Sequence, residues 1–183
     1  MLSQVVQDQV FQAFSQLSMQ DEVFLFDSAP PRKMRGALSY ARLEPGEIIL
    51  VIYDDTVFGS AKNGFMLTTK RVYSRPQLES AEMVDLSQVT RFTKESGWLS
   101  ANIYAENPVG RVKLEVTLAK NGGYCEQLLT ALNAVLPTLN PAAGAPALDL
   151  STLPPPQPVL PAQCPGCGAP GQVRVCEYCG CAV

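Results

Sequence analysis

Arg111-Val-Lys-Leu-Glu-Val-Thr-Leu118 alternates without a break, with Val112, Leu114, Val116 and Leu118 on one side and Arg111, Lys113, Glu115 and Thr117 on the other. A period of two is a strand, and a clean apolar/polar split is a strand buried on one face, as in an antiparallel sheet. The same texture extends upstream. Ile48–Tyr53 is apolar and β-branched, and Gly64–Thr69, Arg71–Ser74, Ala81–Leu86, Val89–Thr93 and Ser100–Tyr104 read as further short strands. Turn-forming residues separate them: Asp54, Asp55, Gly59 and Ser60, then Glu95-Ser-Gly97 and Asn107-Pro-Val-Gly110. Downstream, Asn121-Gly-Gly123 opens a helix whose apolar stripe is Cys125, Leu128, Leu129, Leu132, Val135 and Leu136, with Pro137 placed to stop it. Cys125 lies on that stripe, which makes it a packed core thiol and not a nucleophile.

The expected class is therefore α+β, mainly β, with six or seven antiparallel strands closed by one helix. On these residues a resemblance becomes explicit. Phe58-Gly-Ser-Ala-Lys-Asn-Gly-Phe-Met-Leu-Thr-Thr-Lys-Arg-Val-Tyr73 resembles bacterial pleckstrin-homology-like and GRAM-like domains, where a glycine-started strand ending in Leu-Thr precedes a basic pair and an aromatic. Val84-Asp-Leu-Ser-Gln-Val89 is similar to the family's next strand. The match spans residues 46 to 139. It implies a pleckstrin-homology-like antiparallel barrel or sandwich, in a mostly non-enzymatic family whose members bind phosphoinositides, proteins or each other. It also places Lys62, Lys70, Arg71 and Arg75 where eukaryotic relatives contact inositol phosphates. Residues 46 to 139 carry nine basic and ten acidic side chains, however, so they generate no broad field attractive to anions.

Residues 1 to 45 form an N-terminal helical region. Val6, Val10, Phe14 and Leu17 recur at helical spacing over residues 3 to 18, and Ser3 is placed as the N-cap. Such a helix lies on its own domain or pairs with a partner or a second copy. Residues 1 to 20 contain no Lys or Arg, which disfavours a membrane-surface helix. Glu22–Asp27 reads as a short strand, Pro30-Pro31 breaks the chain, and residues 32 to 43 read as a second helix carrying the basic cluster Arg32, Lys33 and Arg35.

Residues 140 to 163 hold seven prolines in twenty-four positions. That composition is an extended linker biased to polyproline II, at about 3.1 Å per residue where stretched. Residues 164 to 183 then supply two Cys-x-x-Cys-Gly units, Cys164–Gly168 and Cys176–Gly180. Two thiolates three positions apart share one ion only if the chain turns back between them, which the following glycine permits. Cys164, Cys167, Cys176 and Cys179 are thus expected to hold a structural Zn²⁺ in a small ribbon, with Cys181 an alternative to Cys179 as fourth ligand. So short a tail has almost no apolar core, and metal binding would supply folding energy on the order of 10 kcal/mol.

Composition narrows the function. The sequence has 183 residues, 46% of them hydrophobic, a net charge of -3 and no histidine. Without histidine the usual general base is missing, and with it most hydrolytic mechanisms. Gly59–Gly64 lacks the Walker spacing for a phosphate loop. Asp54 and Asp55 are neighbours in a turn, where carboxylates cap amides more often than they converge for acid/base work. The N-terminus has no basic segment leading into an apolar one, no apolar run reaches about 18 residues, and reduced thiols suit the cytoplasm. The expected protein is a cytoplasmic, bacterial, non-enzymatic adaptor, binding protein partners through its β domain and its ribbon, alone or within a homo-oligomer or larger assembly. Peripheral binding to an anionic membrane is the first alternative. Nucleic-acid binding through the ribbon is the second, disfavoured because residues 164 to 183 hold one basic side chain, Arg174.

Overall fold

The apolar run beginning at Ile48 becomes a strand buried on both faces. In the computed structural model, which describes residues 2–17, 22–26, 28–56, 58–96, 101–116 and 122–143, this strand is β2 (Ile49–Asp54). It lies between β1 (Val23–Leu25) and β3 (Gly64–Thr68), and β4 (Arg71–Arg75) and β5 (Glu82–Asp85) complete an antiparallel sheet in the order β1-β2-β3-β4-β5. Alternate residues enter different cores. Val51, Tyr53, Phe65, Leu67, Val72 and Val84 join the main core. Ile52, Met66 and Tyr73 join a smaller one under helix α2 (Pro31–Leu38). Burial on both faces is why these strands read as continuous apolar runs instead of alternating.

A second sheet holds β6 (Arg91–Ser96), β7 (Ala101–Asn107) and β8 (Gly110–Glu115), again antiparallel. In β8, Leu114 is buried, Val112 packs against the core and Arg111 stays exposed, which is the expected one-sided burial. Helix α3 (Gly122–Leu139) covers the main core with Leu128, Leu132, Val135 and Leu136. Cys125 sits among them, and burial pushes its thiol above the ordinary value. The chain is thus α+β and mainly strands. It forms two separate sheets of five and three strands, not the closed barrel that was one form of the expectation.

Helix α1 (Gln4–Phe14) is capped as expected, the Ser3 side chain accepting from the Val6 amide. Its stripe of Val10 and Phe14, continued by Leu17, is buried in the main core, and the helix lies on α3. The chain divides into a unit Met1–Ala145 and a unit Pro146–Val183. The second unit, with Cys164, Cys167, Cys176 and Cys179, lies outside the described residues, as does most of the proline-rich stretch.

Two helix boundaries differ from expectation. α2 ends at Leu38, not near residue 43, because the Ser39 and Tyr40 amides turn back to the Gly36 and Ala37 carbonyls at 3.1 and 3.3 Å and tighten the last turn. α3 runs through Pro137 to Leu139. A proline in the last turn removes only its own hydrogen bond, and the Asn140 amide then closes onto Leu136 O at 2.7 Å.

Two asparagines on or beside α3 tie it to the sheets. The Asn133 amide group accepts from Phe92 N at 2.9 Å and donates to Phe92 O at 3.0 Å, standing in for a neighbouring strand along the edge of β6. Asn140 Nδ2 donates to Leu86 O (2.8 Å) and Val89 O (3.0 Å), and its Oδ1 accepts from Ala142 N (3.1 Å). Asn140→Ala takes the side-chain donor from Val89 O and from Leu86 O, the latter keeping the Val89 amide at 3.0 Å, so urea denaturation is expected to show a loss of about 1–3 kcal/mol. A loss under about 1 kcal/mol would mean the carbonyls reach other donors.

Candidate interaction surface

The tight turn between β3 and β4 is built on Thr68, whose Oγ1 accepts from the Lys70 and Arg71 amides at 3.2 and 2.9 Å. That hydroxyl also lies 2.5 Å from Glu47 Oε1, and Glu47 Oε2 accepts from the Glu44 amide (2.8 Å) and the Tyr73 hydroxyl (3.1 Å). The Glu47 side chain is completely buried. Arg71 answers it electrostatically. Its Nη1 is 3.6 Å from Glu47 Oε2, its Nε donates to Asp85 Oδ1 at 2.8 Å, and its Nη2 pairs with Glu44. The Tyr73 hydroxyl first, then Glu44 and Asp85, hold the Arg71 guanidinium above its already high ordinary value. Burial raises the Tyr73 phenol, which stays protonated at neutral pH.

This network fastens the segment before β2 to the β3–β4 turn. Glu47→Ala would leave the Glu44 amide without its acceptor and Arg71 without one of its carboxylates, while the Thr68 and Tyr73 hydroxyls keep Arg71 O (3.0 Å) and Arg42 O (2.9 Å), and about 2 kcal/mol of stability is expected to be lost in urea titration. Glu47→Gln, which keeps one acceptor oxygen, is expected to lose less.

At the opposite end of the hairpin, the loop between β2 and β3 closes on Asp54. Its Oδ1 accepts from Thr56 N (2.9 Å), Thr56 Oγ1 (2.5 Å) and Ala61 N (3.0 Å), while Lys33 Nζ lies 3.2 Å from Oδ2. The neighbouring Asp55 accepts from the Tyr53 hydroxyl at 3.3 Å. Asp54 thus caps its own loop and meets Lys33, while Asp55 meets the Tyr53 hydroxyl. Lys33 Nζ also sits 4.3 Å above the Phe24 ring.

The four basic residues singled out in the sequence are divided between these ends. Lys70 and Arg71 are at the β3–β4 turn. Lys62, exposed, is two residues before Gly64, and Gly64 is in register with Arg75. The five residues of β3 separate the pairs, roughly 15 Å of strand. Lys70 is shared with Glu44 at 3.8 Å, and Arg71 holds three carboxylates. Among the described residues no group of three or more His, Cys, Asp or Glu is placed to hold a metal ion. Cys125 is the free cysteine among them, and burial raises its thiol against the opposing pull of Lys94, unlike the lowered thiol of a reactive cysteine.

Comparison with family models, with curated proteins and with solved structures gives no match. The surface itself carries the functional reading. No described helix is long and apolar enough to cross a membrane. A groove of about 830 Å³ opens between the C-terminal end of α2 and the outer strands β4 and β5. Its floor includes Tyr73 and Met83, and its wall is Leu38 through Arg42. Sequence reasoning missed both this groove and the Glu47–Arg71 network. The partners in each come from separate segments of the chain, Arg71 lying 14 residues from Asp85 and 27 from Glu44, and only the conspicuous charge of Arg71 was visible locally.

Proposed function

We propose that this chain is a non-enzymatic adaptor, in which a pleckstrin-homology-like β domain and a four-cysteine zinc ribbon each bind protein partners. Leaving β1 aside, a four-stranded antiparallel meander, a three-stranded one and a closing helix follow in the order that such a domain has, which supports the finer fold assignment. The observation that carries the functional reading is the neutralisation of Lys70 and Arg71 by Glu44, Glu47 and Asp85. A site meant to take up phosphate groups keeps its cations available. Here they are occupied by carboxylates of the same chain, at the far end of the hairpin from Lys62 and Arg75. The residues 164 to 183, with four thiolates spaced for Zn²⁺ and one arginine, suit a protein contact better than a polyanion. Two modest contacts on one chain act together, so the assembly binds more tightly than either alone.

Sedimentation with phosphatidylserine vesicles, and gel shift with DNA and RNA, test the reading against its two competitors. Both are expected to be flat at 0.15 M salt. Salt-sensitive vesicle binding that is abolished by Lys70→Glu together with Arg71→Glu would replace the adaptor reading with membrane attachment.

A further inference from the structure

The groove beside β5 combines three features that point to one kind of occupant. β5 is the edge of the five-stranded sheet, so its outer backbone groups are a template for another extended chain. Apolar surface lies beside it: Met83 is 52% exposed and Leu38 41% exposed. The third feature is charge. Side chains of residues directly opposite in an antiparallel pair share a face, and Tyr73 is opposite Met83 while Ser74 is opposite Glu82. Arg71, Tyr73, Arg75 and Met83 therefore look onto the groove, and the Glu82 side chain belongs to the other face, where Ser74 Oγ donates to Lys113 O at 2.6 Å.

Glu82 also lines the groove, from its place at the start of β5, and two further acids at the groove are matched. Asp85 pairs with Arg71, and Glu79 pairs with Lys113 at 3.1 Å. Arg42 and Arg75, both lining the groove, have no ion-pair partner among the described residues. Two unmatched guanidiniums in a partly enclosed groove favour an incoming carboxylate, and a guanidinium binds it through two parallel hydrogen bonds.

We infer that this groove binds an extended acidic peptide of a partner protein, which adds as a sixth strand along β5. Its alternate side chains, about 6.6 Å apart, enter the groove. One is a carboxylate that meets Arg75 or Arg42, and the next is apolar and covers Met83 and Leu38. β5 is four residues long, about 13 Å, so the recognised stretch is four to six residues. This deepens the adaptor reading, on which it rests, by naming the surface and the chemistry of the partner segment.

The test is selection of random dodecapeptides displayed on phage against the intact chain, followed by binding measurements on synthetic copies of the selected peptides. Asp or Glu two positions from Leu, Met or an aromatic residue is expected to be enriched. Arg75→Glu and Arg42→Glu are each expected to weaken binding at least tenfold, with an unchanged urea midpoint showing that the fold is intact. Arg75→Gln provides the same comparison if a charge reversal unfolds the domain. Amide hydrogen exchange at Glu82–Asp85 is expected to slow when peptide binds. Peptides without acidic enrichment, or bound equally by the arginine variants, would overturn the groove assignment and leave the adaptor reading standing. Phosphatidylserine vesicles binding through the same two arginines would overturn the peptide assignment in favour of a membrane. A selection that yields no peptide, from a chain that also captures no protein, would overturn both.

Discussion

Gly64→Ala is expected to destabilise the β domain by more than about 3 kcal/mol and to leave much of the protein unfolded at 37 °C. Gly64 opens β3 at φ +122°, a region that L side chains rarely enter and where strain alone is worth roughly 1–3 kcal/mol. A Cβ there would also lie 2.1 Å from Tyr53 O and 3.0 Å from Asp55 N. These are backbone atoms of and beside β2, at the centre of the sheet, and Tyr53 is fully buried. The obstacle cannot swing away as a flexible side chain would. Gly64 is in register with both Asp54 and Arg75, so any shift disturbs two ladders at once. A domain of this size has about 5–15 kcal/mol in total, and such a loss is a large part of it. The control is Gly110→Ala, where nothing lies within 4 Å, and a change of under about 0.5 kcal/mol is expected. Urea midpoints of the two variants give the comparison directly. Equal midpoints would contradict the close approach of β3 to Tyr53.

The second large effect belongs to the cysteine-rich end. Purified intact chain is expected to hold one zinc ion, detectable by elemental analysis and released to a chromogenic chelator after thiol modification. Single Ser substitutions at Cys164, Cys167, Cys176 and Cys179 are each expected to weaken retention by orders of magnitude. Four-thiolate sites in small domains supply on the order of 10 kcal/mol, and three thiolates do not complete the tetrahedron. Cys181→Ser is expected to retain the ion. The reverse pattern, loss with Cys181→Ser and retention with Cys179→Ser, would move the fourth ligand. Binding requires deprotonated thiols, so retention is complete near neutral pH and is lost as acid protonates them.

Strand positions were legible in the sequence to within one to three residues at each end, because burial leaves a periodic imprint. Arg111–Val116 alternates, since β8 has one covered face. Ile48–Tyr53 does not, since β2 has two. Ser3 announced the start of α1 because an N-cap is a local interaction over three residues. Where a local rule met a tertiary or end effect, it failed. Pro137 looked like a stop, yet a proline in the last helical turn removes a single bond. Tyr40 and Ala41 continue the apolar spacing of α2, but they reach the small core from the segment after Leu38 rather than from a longer helix.

The candidate site was the least legible part, and for a physical reason. Lys70 and Arg71 look like an anion contact when only neighbouring residues are read. Their charge is matched by Glu44, Glu47 and Asp85, positions that the sheet and the segment before β2 bring together from 14 to 27 residues away. A groove is likewise a property of packing. Leu38, Arg42, Arg75 and Met83 share no spacing that would single them out.

Quantitative affinity purification from the native cells tests the adaptor proposal most directly, comparing the intact chain, a chain ending at residue 163, and the Arg42→Glu/Arg75→Glu variant. The expected result is a defined set of proteins recovered at fixed ratio by the intact chain, and at least tenfold less of it after either change. Recovery of no protein above background, with lipid or nucleic acid retained in its place, would contradict the proposal.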